Sequence, residues 1–419
     1  MLGNTFGRIF RITTCGESYG GGLAVIVDGV PPGIKLNVEH VQAELDKRKP
    51  GQSKLDSPRL ETDRVELFAG VRIRDELTTG APVGLIIYNV DRQKLHVDQY
   101  SDVRDLIRPG HAEYTFFVKY GEYTDWCGAG RASGRETVGR VAGGAVAKQI
   151  LAREGIEVLG HVIESHGIRG RELTFDEVRQ NYRKNHLNCC DLEAAEKMIA
   201  DILKVRKAGD TVGGTIEVLV RGVPAGLGEP VFDKLRATIA HAIMSIGATT
   251  GLEFGAGFQA SKMLGSEWND PPYLDEQGHV RFRTNNAGGM GGGISDGEEL
   301  RFRFAVKPTP TISLPQDSID MNKMQPAKLA AVTRRDITIC PRIYPVAEAM
   351  TACCILDAMY LAKAFEYFAH IDPKFRKVGE PRDKSDPEEI LKLAFRQPEA
   401  IGGTELTRED LKEMGSIQE

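Results

Sequence analysis

The sequence predicts an α+β fold. Runs of alternating or β-branched residues come in pairs separated by turn signals, as hairpin strands do. Three long segments are helical in pattern and widely spaced. Strands and helices do not repeat as βα units, which argues against a doubly wound parallel sheet.

The elements follow in order. Residues 7–12 and 23–28 are two strands around a glycine-rich turn, TTCGESYGGG. Residues 38–48 are a short amphipathic helix ended by Pro50-Gly51. Residues 65–71 and 83–89 are strands around Thr78-Thr79-Gly80. Residues 134–153 form a helix rich in Gly and Ala, so its neighbours can approach closely. Residues 213–221 are a strand, 232–246 a second helix and 299–306 an alternating strand. Residues 345–369 are the third helix, apolar nearly all round and therefore buried. Its Glu348, Asp357, Lys363 and Glu366 argue against an ordinary membrane span. After Asp372 the chain turns charged and proline-containing. Residues 1–369 are thus expected to form one catalytic unit. Residues 370–419 are expected to leave the core as an extension, partly ordered at most, with a short surface helix at 387–396.

Composition excludes several classes of function. Among 419 residues the net charge is −5, so a general basic footprint for nucleic acid is missing and anion binding must come from local clusters. The seven cysteines show no metal-binding spacing and include two adjacent pairs, which make poor disulfides. They read as reduced thiols of a cytoplasmic protein. The N-terminus MLGNTFGRIF lacks the layout of a signal peptide.

Chemistry concentrates in loops that join glycine to Arg, Lys, Ser or Thr. These are KRKPGQSK (47–54), RPGHAEY (108–114), GAGRASGRET (128–137), NNAGGMGGGISDG (285–297), KPTPT (307–311) and TRRDITICPR (333–342). Backbone N–H groups in such loops can wrap phosphate, and Arg adds a bidentate charge. Neither a dinucleotide fingerprint nor a Walker A sequence occurs. Each loop alone has a plainer reading. KRKPGQSK is a helix end, RPGHAEY a turn, and KPTPT a rigid connector. GAGRASGRET is a helix start with Ser133 as N-cap and Glu136 completing a capping box.

Taken together and in this order, the segments resemble chorismate synthase. GNTFGRIFRITTCGES, RKPGQS, TTGAPVGLIIYN, RPGHAEYT, GRASGRETVGRVAGGA, GLEFGAGF, TNNAGGMGGGIS, KPTPT and RRD fall in register from about residue 3 to residue 369. The resemblance implies a β–α–β sandwich, with long helices between antiparallel sheets, assembled as a homotetramer. It implies an anti-1,4-elimination of phosphate from 5-enolpyruvylshikimate 3-phosphate, dependent on reduced FMN without net redox change. NADPH enters only indirectly, through an external flavin reductant. By the same resemblance, His111 is the acid on the departing phosphate and Asp336 the carboxylate that relays the proton. Ser18 and Ser133 are active-site hydroxyls. Arg131, Ala132, Ser133, Gly247, Ala248, Gly292, Lys307, Pro308, Thr309, Pro310, Thr311 and Arg334 match positions that hold FMN. Arg48 and Lys54 match basic positions that meet substrate phosphate or NADP. Two positions depart from the family. Tyr19 stands where a His is usual, and Arg335 where His or Ser is usual. A phenol stays neutral to pH ~10, so Tyr19 reads as a positioning group. The same departure leaves a second reading open, a non-catalytic relative that binds FMN or phosphorylated ligands.

Overall fold

The computed structural model describes residues 3–57, 62–90, 103–330, 335–366 and 381–413. Two five-stranded antiparallel sheets enclose a layer of helices. The first sheet contains β1 (Thr5–Phe6), β2 (Arg11–Gly16), β3 (Gly22–Asp28), β4 (Val65–Ala69) and β5 (Val83–Tyr88), in spatial order β1-β2-β3-β5-β4. The second contains β6 (Glu157–Ser165), β7 (Ile168–Arg169), β8 (Gly214–Arg221), β9 (Thr249–Phe254) and β10 (Leu300–Val306), in order β7-β6-β8-β10-β9. The helices are α1 (Val38–Arg48), α2 (Glu113–Tyr120), α3 (Thr137–Arg153), α4 (Phe175–Asn181), α5 (Leu192–Lys207), α6 (Leu235–Met244), α7 (Cys340–Glu366), α8 (Pro387–Leu393) and α9 (Arg408–Glu413).

The first sheet has the period-two pattern of a half-covered sheet. Leu23, Val25 and Val27 of β3 are buried, as are Val83, Leu85 and Ile87 of β5, while Ile26 is half exposed. That buried face lies on α3, which in turn packs on α7, and α7 covers β6 and β8. Close approach of the two helices depends on Gly144. A Cβ there would lie 2.3 Å from the Cβ of Ala349, so only glycine fits the crossing. α7 is long and apolar enough to cross a membrane by length and composition, and it lies in the core between the layers.

Several boundaries differ from expectation for identifiable reasons. Residues 7–10 are not strand. The N–H groups of Arg8, Ile9 and Phe10 donate to the Asp357 carboxylate at 2.9, 2.7 and 3.0 Å, which takes them out of any ladder. α7 begins at Cys340, five residues before the predicted start, and carries Pro345 inside it. Residues 367–369 of the predicted helix fall outside the described residues. The capping box at Ser133 does not form. Ser133 Oγ accepts from Arg135 N at 3.2 Å and caps a 3-10 turn, while Glu136 pairs with Arg140 at 3.0 Å instead. The structure adds β1, β6, β7, β9, α2, α4, α5 and α9 to the predicted elements.

Over residues 381–413 the extension packs back onto the body, with Leu393, Ala394 and Thr404 buried. Arg396 donates to the carbonyls of Arg179, Gln180 and Tyr182, closing the C-terminal end of α4. Phe395 meets the ring of His40 edge-on at 5.9 Å. The charge-rich composition hid a few apolar residues at helical spacing, and these suffice to dock the segment.

Candidate functional site

The loop between β2 and β3 projects Ser18 and Tyr19. Ser18 is buried, and its Oγ has no hydrogen-bond partner among the described residues. Tyr19 is half-buried, and its ring lies against Gly128. A Cβ at Gly128 would sit 2.6 Å from that ring, and the residue has φ +61°, so glycine is required there on both counts. Arg131, three residues on, is tied to the same strands. Its guanidinium donates to Gly16 O at 3.1 Å, Thr14 Oγ1 at 2.8 Å and Asn4 Oδ1 at 3.0 Å. It therefore fixes the glycine-rich loop 128–134 to the Ser18 turn.

From this turn a polar chain runs inward. Asn89 Nδ2 donates to the carbonyls of Glu17 and Gly20 at 2.9 and 3.0 Å, and Asn89 Oδ1 accepts from Arg135 Nε at 3.0 Å. Arg135 pairs with Asp63, and Asp63 pairs with Arg48 at 3.1 Å. Arg48 is 2% exposed. Burial opposes the charge on Asp63, but Arg48 and Arg135 outweigh it and hold the carboxyl below its usual range. The carbonyl of Arg48 accepts from Arg342 Nε at 3.0 Å, and Arg342 Nη1 grips both oxygens of Asp336 at 2.8 Å. Ser57 N donates to the same carboxylate at 2.8 Å. Asp336, at the head of α7, is thus joined to Ser18, at the edge of the first sheet, through Arg342, Arg48, Asp63, Arg135 and Asn89.

His111 belongs to a second group. It lies in the Pro-Gly turn before α2, and its Nε2 shares a hydrogen bond of 3.0 Å with Thr311 Oγ1. Lys307 Nζ donates to Gly110 O at 2.6 Å, and Lys307 N donates to Ala248 O at 3.0 Å. Ala248 has φ +71°, and Gly247 beside it is exposed. Thr309 offers its carbonyl to Thr211 Oγ1 at 2.6 Å, while its own buried Oγ1 has no partner among the described residues. The KPTPT segment, including Pro308 and Pro310, thus links the His111 turn to the 247–248 turn. It also reaches toward Asp336, because Arg335 donates to Ser313 Oγ and to Arg206 O. Burial, with help from the charges of Arg108 and Lys307, lowers the pKa of His111 to about 3. At neutral pH the imidazole is therefore uncharged.

Lys54 pairs with Asp410 of α9 at 3.1 Å, and Arg206 approaches the same carboxylate at 3.4 Å. Gly292 sits exposed, with φ +62°, in the tight turn between Met290–Gly291 and Ile294–Ser295. Ala132 ends the 3-10 turn that precedes Ser133. Arg334 lies outside the described residues. Conversely, Asp63, Asn89, Arg135 and Arg342 were not singled out. Arg135 and Arg342 stand in the quoted loops, so their signal was present. Asn89 closes the quoted segment TTGAPVGLIIYN, whereas Asp63 carries no motif and is recognised only by the arginines it pairs with.

Two antiparallel sheets around a helical layer, with buried arginines and a histidine gathered on glycine-rich loops, define an enzyme-like site for an anionic ligand. The chorismate synthase family model matches residues 10–360, and the chain belongs to that family. A chorismate synthase of Acetivibrio thermocellus is 54% identical over 395 residues, covering 90% of this chain and all of that protein. One of Methanosarcina barkeri is 48% identical over 359 residues, covering 86% of this chain and 96% of its own length. A crystal structure of chorismate synthase superposes with a TM-score of 0.66 at 28% identity, over 93% of this chain and 97% of that one.

Proposed function

We propose that this chain is a chorismate synthase that removes phosphate from 5-enolpyruvylshikimate 3-phosphate by anti-1,4-elimination, with reduced FMN as cofactor. The observation that carries the reading is the continuous polar chain from the Ser18 turn to Asp336, together with a half-buried His111 held by Thr311.

His111 is the acid for the leaving phosphate. It starts neutral, so a proton must be taken up as the substrate dianion binds and raises its pKa. Lys307 and Arg108 add positive charge on the same side. Asp336 accepts the ring proton, and Arg342 and Ser57 N hold the carboxylate in orientation. Arg48 and Arg135 receive substrate oxygens at the cost of part of their hold on Asp63. Ser18 Oγ and Thr309 Oγ1, two buried hydroxyls without partners among the described residues, fit a polar cofactor lying between the two groups. Reduced FMN, when bound, would lend the electron that permits phosphate loss and take it back as the ring proton leaves, so that no net redox change results. The 128–134 loop, Gly247, Ala248, Lys307, Thr309, Thr311 and Arg334 would hold it. Tyr19 positions the 128–134 loop through Gly128, and Arg131 pins that loop to β2. Lys54 serves α9 rather than substrate. The flavin is reduced externally, and the enzyme works in the cytoplasm as a homotetramer. The non-catalytic reading has only the identity of residue 19 in its favour.

The test is phosphate release from the enolpyruvyl substrate under anaerobic conditions with chemically reduced FMN. Turnover that needs the reduced cofactor is expected. No phosphate release at saturating FMN would sink the assignment.

A further inference from the structure

Beyond this site, we infer that the chain carries a second anion-binding site centred on Arg183, with a small oxyanion of carboxylate or phosphate type as its ligand. A cleft of ≈ 320 Å³, including its open mouth, is lined by Arg183, His186, Lys47, Asp56, Arg342 and Pro398. Arg183 is 3% exposed, and its Nη1 is buried with no hydrogen-bond partner among the described residues. Its backbone is held in place by a 2.7 Å bond from Arg183 N to Asn188 Oδ1.

The other charges in the cleft are already answered. Lys47 pairs with Glu44 at 2.8 Å and Glu348 at 3.9 Å, and Arg342 pairs with Asp336 at 2.8 Å. Asp56 is occupied by Ser53 N, Ser53 Oγ and Gln52 N at 2.9, 3.2 and 3.2 Å. Burial, and then the charge of Asp336, push its pKa up to about 6, and these three donors take up its oxygens. Among the charged groups described in the cleft, Arg183 is left without an ion-pair partner among the described residues, a cost that folding does not accept without a reason. His186 stands beside it, half-buried, with no side-chain hydrogen bond among the described residues. Burial and the charge of Arg183 keep its ring neutral, with an N–H to give. A guanidinium fork and an imidazole N–H facing one cleft match an oxyanion and offer nothing to an apolar or cationic ligand. The docked extension supplies part of the wall through Pro398, and Glu399 N donates to Lys184 O at 3.4 Å beside it.

Crystals of the full chain soaked in selenate give the location directly. An anomalous peak within hydrogen-bond distance of the Arg183 guanidinium is expected. An empty cleft, or a carboxylate of a neighbouring copy seated on Arg183, overturns the proposal. Calorimetric titrations with inorganic phosphate and with malonate then name the class. Wild type should bind one more equivalent than Arg183→Gln of whichever anion is recognised, and Arg183→Lys should retain part of that binding. Equal stoichiometry in wild type and Arg183→Gln for both anions overturns it as well. Should Arg183→Gln fail to fold, the selenate map still decides.

Discussion

Two buried charge clusters in this molecule are built differently. In the helical layer, Lys148 donates to Glu44 at 2.9 Å and to Glu348 at 2.5 Å. Glu348 also accepts from Tyr182 Oη at 2.8 Å and Gly160 N at 2.7 Å, and Lys47 joins Glu44 at 2.8 Å. None of these five side chains leaves a buried polar atom unpartnered. Around the Ser18 turn and the KPTPT segment, by contrast, Ser18 Oγ and Thr309 Oγ1 are buried without partners among the described residues. A closed network serves the fold, whereas a buried group left open is held for something that is not yet bound.

The comparison breaks first at His111. His111→Ala should lower turnover by roughly two to four orders of magnitude while shifting the thermal midpoint little, because the side chain makes one hydrogen bond. A variant that keeps its turnover but loses stability would move His111 into the structural class. Next in size is Lys148→Met, which leaves the two buried carboxylates of Glu44 and Glu348 to share Lys47. A loss of about 3–5 kcal/mol in urea unfolding is expected. A loss below about 1 kcal/mol would mean that the network is not carrying the helical layer.

Acid should weaken the helical-layer side through His40. Burial chiefly, with Lys47 and Lys148, lowers its pKa to about 4 from an ordinary 6.5, against the opposing pull of Glu44. The unfolded chain therefore binds the proton first, and stability falls as pH drops from about 6.5 towards 4, by on the order of 3 kcal/mol. His111 contributes with the same sign over a wider window, down to about 3. In a pH series of unfolding curves His40→Gln should flatten part of this slope, and an unchanged slope would clear His40 of the effect.

The smallest effects separate the clusters most cleanly. Tyr182→Phe removes one hydroxyl from the closed network and should cost about 1–3 kcal/mol of stability, since Glu348 and Lys47 each lose a partner. Ser18→Ala removes a hydroxyl of similar burial and should cost nearly nothing, or stabilise slightly, while reducing turnover. Equal costs in the two variants would erase the distinction.

The sequence by itself determined the fold class, most element positions and the residues of the family loops. Period-two runs such as Leu23-Val25-Val27 and the small-residue helix at 137–153 are local patterns, and local patterns survive in one dimension. It also contained His111 and Asp336, because each sits in a short loop of distinctive residues. Only the tertiary structure decided which charges meet. Asp63 has no motif and Asn89 is only the last letter of a strand segment, yet they join Arg48 and Arg135 to the Ser18 turn across separate elements. Tertiary packing also withdrew residues 7–10 from the sheet by presenting Asp357, nearly the whole chain away, to their N–H groups. It likewise turned a charged extension into a docked segment and gave Lys54 to Asp410. Hydrogen bonds and ion pairs act over a few ångströms regardless of sequence separation, so their partners are set by the packing of the core and not by neighbouring letters.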